Sequence, residues 1–593
     1  MDQEERPLKK PRQDRVKGVA PIKAEYLVER PGKANQESCI ADDDAEGAGL
    51  DRLNGGGSEG KSKKKKGRGQ NKNRSLAQKK ESVRYCDRER NEQGTHCILG
   101  EKCSYEHDPQ VYIASKLPDI DGTCPVWKAL GSCPAGVKCR WLKSHFLDGE
   151  LTVGQVDKDS VGYEVNRAAP EILMKLQRRE YDFKLADRII ATIDGEQSEN
   201  LQDPELKTKR DNYAAYFEGT IKPLEKKRLD YNRKYVLSPL TTVGNLPYRR
   251  LMKTLGTDIT FSEMAMAMPI LQGGRSEWAL PRAHSTELGG FGIQLAGSKP
   301  WHLIKAVEAL EDLSPDHSEV NLNCGCPIDL LYRQGCGSAL MENPARLLRL
   351  LKGMSLASGE KPVTVKIRTG TKDGHPTAKS LVKRLVDEQQ VHAITIHGRS
   401  RQQRYTREAD WNYIKEIADI VKQERADQEL KPWIIGNGDV YCWQDWYDHV
   451  ENQGVDTCMV ARGALIKPWI FEEIEAKQQL DKSATERLEY IRKYAEFGLE
   501  HWGSDQYGVE QTRRFLCEWL SFTYRYIPEG ILEYMPPKLN DRPAPFQGRN
   551  ELETLLASGN YKDWIKISEM FLGPTPQSFE FEPKHKSNAY TES

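Results

Sequence analysis

The sequence contains no apolar run long enough to cross a bilayer, and its first residues lack the apolar stretch of a secretory leader. Neither membrane insertion nor export is therefore expected, and the thirteen cysteines read as reduced thiols, metal ligands or catalytic groups rather than disulfides. No G-x-G-x-x-G stands between a strand and a helix, so a separate dinucleotide-binding domain of Rossmann type is not expected. Apolar residues are scarce, at 38% against 30% charged, with a mean hydropathy of −0.71. That is too polar for compact core throughout 593 residues, so polar segments must flank a globular part. Net charge is also missing, with 88 Lys and Arg balancing 88 Asp and Glu, but the charges are unevenly placed. From these absences a location in the cytoplasm and nucleus is expected.

Residues 1–80 have almost no apolar periodicity. They hold an acidic patch (Asp42, Asp43, Asp44, Glu46), a glycine run (Gly55 to Gly57), and a basic block from Lys61 to Lys80 that no acidic residue interrupts. Such a segment buries no core and is expected to be a disordered basic tail, suited to phosphates or, with Lys9-Lys10-Pro11-Arg12, to nuclear import.

From residue 81 to 148 the pattern changes. Cys86, Cys97, Cys103 and His107 are spaced C-x10-C-x5-C-x3-H, and Cys124, Cys133, Cys139 and His145 follow as C-x8-C-x5-C-x5-H. Three thiolates and an imidazole complete a closed tetrahedral zinc shell with no position open for chemistry. Each unit is too small to fold on apolar burial alone, so the metal supplies folding free energy. The neighbouring aromatics Tyr85, Tyr105, Trp127, Trp141 and Phe146 suit either base stacking or the small cores of these units. Residues 149–232 read as a basic, partly helical linker.

After Tyr235 eight short apolar or β-branched runs recur, starting at Val236, Ile259, Phe291, Val320, Val363, Ala393, Trp433 and Thr457. Helical periodicity fills most of the intervals between them. Alternating strands and helices of this number predict an α/β fold, a (β/α)8 TIM barrel, over residues 233–478. In such a barrel every strand end lies on one rim, where active sites form. The strand ends carry Gln294, the run Asn321-Leu322-Asn323-Cys324-Gly325-Cys326-Pro327, Lys366, His397, Asn437-Gly438-Asp439 and Ala461-Arg462-Gly463. An amide, a thiol, a lysine and an imidazole thus converge, and the last two glycine turns suit a phosphate.

The set Pro239 to Gly244, Gln294 to Gly297, Asn321 to Pro327, Val365 to Arg368, Ile396 to Arg399 and Gly436 to Asp439 resembles the tRNA-dihydrouridine synthases. The two Cys-Cys-Cys-His units resemble CCCH zinc fingers, which bind single-stranded RNA. Together they make the chain similar to the eukaryotic type-3 members, whose target is uridine 47 in the tRNA variable loop. The resemblance implies FMN across the rim, with Leu240, Thr241, Thr242, Gln294, Lys366 and His397 at the flavin and Asn437, Gly438, Asp439, Ala461 and Arg462 at its phosphate end. It also implies NADPH as reductant, tRNA as partner, with messenger RNA open as a second substrate, and a monomer.

Cys326 matches the family's general acid. Cys324, two positions earlier, remains a competing thiol, and Cys326 is preferred because it precedes the proline as in the family pattern. Reduction of the uracil C5–C6 bond takes a hydride at C6 and a proton at C5, and an ordinary thiol with a pKa of about 8.5 is protonated and able to donate. Extruding the uridine requires a basic mouth, for which Arg399, Arg401, Arg404 and Arg407 with Tyr405 are candidates. Residues 479–575, with Arg513, Arg514, Trp519, Arg525 and Tyr526, resemble a helical tRNA-binding domain, and 576–593 read as a tail. Two rivals are an RNA-binding zinc-finger protein with an inactive barrel, and a flavin barrel acting on a small pyrimidine.

Overall fold

A computed structural model describes residues 18–28, 81–89, 97–157, 161–195, 222–424, 430–577 and 579–584. The acidic patch, the glycine run, Lys9 to Arg12 and the basic block Lys61 to Lys80 lie outside the described residues.

The eight expected strands are present: β1 (Val236–Leu237), β2 (Thr260–Phe261), β3 (Phe291–Ala296), β4 (Glu319–Asn323), β5 (Val363–Arg368), β6 (Ala393–His397), β7 (Trp433–Asn437) and β8 (Thr457–Val460). Every pairing along the path β1-β8-β7-β6-β5-β4-β3-β2 is parallel. A parallel bridge between Val236 and Ile259 closes the ring. The strands are buried on both faces, as helices outside and packed side chains inside require. The helices follow the predicted apolar stripes; Ala378–Asp387, for example, buries Leu381, Val382, Leu385 and Val386.

The closed end of the barrel is plugged from upstream. The buried Tyr231 hydroxyl donates to Glu319 Oε1 at 2.6 Å. Lys226, also buried, donates to four oxygens of residues 355–361, and its desolvation lowers its pKa to about 8. The segment read as a linker is thus partly barrel surface: its helices Pro170–Arg178 and Lys184–Gly195 bury Leu173, Leu176 and Ile189 in the main core.

Two described segments, 18–28 and 579–584, depart from the expectation of tails. Ala20 and Ile22 pack with Ile527, Ile531, Leu532 and Phe546, and residues 18–28 hydrogen-bond repeatedly to residues 531–547. The apolar residues there form one short run with no adjoining element in the sequence, so only the receiving surface reveals their burial. Past the helix Tyr561–Leu572, Phe581 is buried in the main core.

Candidate active site

The carboxyl rim is organised by a chain of amides. Asn321 Nδ2 donates to Thr364 Oγ1 at 2.9 Å, and Gln294 Nε2 donates to Asn321 Oδ1 at 2.9 Å. Asn323 Nδ2 donates to Gln294 Oε1 at 2.8 Å, while Asn323 Oδ1 accepts the backbone N–H groups of Gly325 at 3.1 Å and Cys326 at 2.9 Å. All three amides are buried, and a fully satisfied buried network of this kind admits one arrangement. It fixes the loop that presents Cys326. Arg368 Nε adds a bond to Gly325 O at 2.5 Å.

The two neighbouring thiols occupy different surroundings. Cys324 belongs to the main core, its N–H is bonded to Lys366 O at 2.8 Å, and burial raises its pKa strongly. Cys326 sits in a separate small cluster at the rim with Met264, Met266, Ala296, Leu331 and Cys336. Gly337, at φ +60°, passes so close to Cys326 that an added Cβ would lie 3.0 Å from Cys326 O. Sequence spacing could not separate the two thiols; their packing does.

Register places Lys366 beside Asn323, Arg368 beside His397, and His397 beside Asn437. His397 is 3% exposed, and burial, followed by the charges of Arg368, Lys366, Arg399 and Arg462, holds its pKa far below the usual imidazole value. The ring is therefore neutral. Arg399 Nη1, which only donates, lies 3.4 Å from His397 Nε2, so the ring proton belongs on Nδ1. That Nδ1 is buried and has no hydrogen-bond partner among the described residues.

Beside it a cleft is lined by Leu240, His397, Arg399, Tyr405, Asn437, Gly438, Asp439, Ala461, Arg462, Gly463 and Leu539, among others. Asn437 Nδ2 bonds Met459 O at 2.8 Å and ties β7 to β8. Gly438 adopts φ +131°, and an added Cβ would lie 2.6 Å from Ala409 Cβ, so only glycine follows this turn. The Asp439 carboxylate accepts from Arg399 Nη2 at 2.6 Å, from Ala409 N at 2.6 Å and from Arg462 Nη2 at 3.3 Å. Burial opposes its charge, but Arg399 and Arg462 outweigh burial and keep its pKa below the usual value. Its carboxylate braces the two guanidinium groups. Arg399 and Arg462 line the cleft with Asp439 as its one lining carboxylate, and an anionic group fits that excess of positive charge.

Several predicted RNA contacts are elsewhere. Arg399 is fully buried against Asp439, so it serves the cavity rather than an outer surface. Arg401 pairs with Asp329 at 2.5 Å, Arg404 with Asp329 at 3.8 Å, and the exposed Arg407 with Asp373 at 3.2 Å. Tyr405 lies under Arg462 at 4.3 Å and lines the cavity. Arg513, Arg514, Trp519, Arg525 and Tyr526 are buried in the C-terminal helical region, where Arg513 donates to Ser568, Thr575, Leu572 and Gly573. The reading of these five as an RNA surface is corrected: they are packing and bonding groups of the core.

Both predicted zinc shells assemble. In each set, Cys86, Cys97, Cys103, His107 and Cys124, Cys133, Cys139, His145, the ligand atoms all lie within 4.8 Å of one another, as a tetrahedral ion with bonds of about 2.0–2.3 Å requires. The longer spacing before His145 is taken up by a 3-10 turn, Leu142–Ser144. The second shell is docked on the C-terminal helices: Ser504 Oγ lies 3.1 Å from Cys133 Sγ, and Arg140 N donates to Ser504 O at 2.8 Å. Trp141 and Tyr85 are core residues, whereas Ile98, Leu99 and Tyr105 of the first unit are exposed.

The barrel and its rim define an enzyme of the α/β-barrel class, with paired guanidinium groups on one side of the rim and a thiol on the other. Residues 236–516 match the family described as Dihydrouridine synthase (Dus), and residues 116–147 match the DUS3L CCCH zinc finger domain. A tRNA-dihydrouridine(47) synthase [NAD(P)(+)] of Meyerozyma guilliermondii is 55% identical over 97% of this chain and 96% of that protein. One from Candida albicans, of the same name, is 52% identical over 97% and 95%. The chain belongs to the dihydrouridine synthase family.

Proposed function

We propose that this chain reduces a uridine of tRNA, at position 47, to dihydrouridine, with FMN as its bound cofactor and NADPH as reductant. The observation that carries the reading is Cys326, its N–H held at the barrel rim by Asn323, the residue in register with Lys366. When bound, FMN supplies hydride chemistry directed at uracil C6. Leu240, Thr241, Thr242, Gln294 and Lys366 would hold its ring, with Asn437, Gly438, Asp439, Ala461 and Arg462 at the phosphate end. In this arrangement the backbone of the Gly438 turn and the guanidinium of Arg462 meet the phosphate, and Asp439 keeps Arg462 and Arg399 in place.

The Cys326 thiol gives its proton to uracil C5 as the C5–C6 double bond becomes single, and the thiolate recovers a proton from solvent. His397, neutral with its proton on Nδ1, donates a hydrogen bond without competing as an acid. Lys366 offsets negative charge that develops on the carbonyl side. The uridine must leave its stack to reach this rim. The exposed Tyr105, under the Arg84 guanidinium at 4.7 Å, supports the first zinc unit as the part that meets unpaired bases.

The test is to map dihydrouridine in tRNA from cells with and without the protein. Loss of the modification at one variable-loop uridine is expected; an unchanged map refutes the reading.

A further inference from the structure

The described C-terminal residues end at the mouth of the barrel. Phe579 lies under Arg513 and Arg514 at 5.9 and 5.5 Å, and Phe581 is 5% exposed. Lys584 N donates to Glu518 Oε2 at 3.3 Å, and its side chain turns inward, leaving the residue 7% exposed. Its Nζ donates to Thr242 Oγ1 at 3.0 Å, across 342 positions of sequence.

Thr242 is an unusual recipient. It is β-branched yet has φ +75°, in the left-handed region, where such a residue is strained by roughly 1–3 kcal/mol. The conformation is held from both sides: Thr242 N donates to Glu263 Oε2 at 2.6 Å, and Thr242 O accepts from Asn245 Nδ2 at 3.1 Å. An ammonium has donors only, so Thr242 Oγ1 must accept from Lys584, and its own single proton points away from Lys584. A hydroxyl that accepts from a cation is also polarised into a stronger donor. Two residues upstream, Leu240 lines the cavity beside His397.

We propose that Lys584 is a positioning residue for the cofactor: it commits the Thr242 hydroxyl to donate to a ring acceptor of the flavin. The proposal rests on the reading that FMN occupies this rim. It explains why a strained threonine stands in the loop after β1, and why a buried lysine lies this far past the helix Tyr561–Leu572.

The experiment uses the full chain, stripped of flavin and titrated with FMN by fluorescence, with the visible spectrum recorded at saturation. Lys584→Met is expected to weaken FMN about tenfold, the size of a hydrogen bond to a charged group, and to shift the flavin absorption bands. Lys584→Arg is expected to restore much of both. Thr242→Val should match Lys584→Met, and the double variant should be no weaker than either single one. Wild-type affinity and spectrum in Lys584→Met overturn the proposal, as do strictly additive losses with no rescue by arginine, which describe a tail that only packs. A wild-type chain that fails to bind FMN would instead refute the underlying reading.

Discussion

Glu319 offers the sharpest check on the physical account of the barrel. It stands at the first residue of β4, fully buried, with Oε1 bonded to Tyr231 and Oε2 without a hydrogen-bond partner. Burial raises its pKa from 4.5 to about 7, against the smaller opposing effect of its hydrogen bonds. The folded state therefore holds this proton more tightly than the unfolded chain does. The stability it contributes is fully present below about pH 4.5, declines as pH rises towards 7, and is gone above 7.

At 1.36 kcal/mol per pH unit, that interval corresponds to about 3 kcal/mol. Glutamine keeps the shape of the protonated acid and does not ionise. Glu319→Gln should thus match the wild type at pH 4.5 and exceed it by about 3 kcal/mol at pH 8.5. For a domain of the barrel's size this is a rise of roughly 6–12 °C in melting temperature. Thermal unfolding of both proteins at the two pH values measures the difference directly, and effects of other titrating groups cancel. An equal gap at both values, or a less stable variant at pH 8.5, would refute the argument.

Cys326→Ala should retain FMN and tRNA binding while uridine reduction falls by about 10²- to 10⁴-fold, the range for a lost general acid, as read in single-turnover assays. Cys324→Ala should keep turnover and lose about 1 kcal/mol of stability as a buried core truncation; abolished turnover would reverse the assignment. Asp439→Asn removes the carboxylate that Arg399 and Arg462 share. It should cost about 3–5 kcal/mol in the flavin-free protein, with the gap narrowing once FMN phosphate is present in a melting experiment. Arg513→Met should lower the melting temperature of the C-terminal helices without changing the salt dependence of tRNA binding, because its side chain is buried and both terminal nitrogens bond internally.

The chain itself determined what depends on local order. Zinc ligands are recognised by spacing because each unit folds around its own residues, and both sets assembled as spaced. Strands ending in glycine turns announced the barrel, since strand polarity alone carries every end to one rim. Tertiary structure decided what depends on distant partners. Cys324 and Cys326 share a loop, but only packing sends one into the core and the other to the rim. Arg513 and Arg525 have the composition of an RNA surface, yet buried acceptors from other segments claim them. The burial of residues 18–28 and of Lys584 could not be read locally, because the surfaces that order them lie hundreds of residues away. A side chain's chemistry is written in the sequence, whereas its solvent and its partners are supplied by the fold.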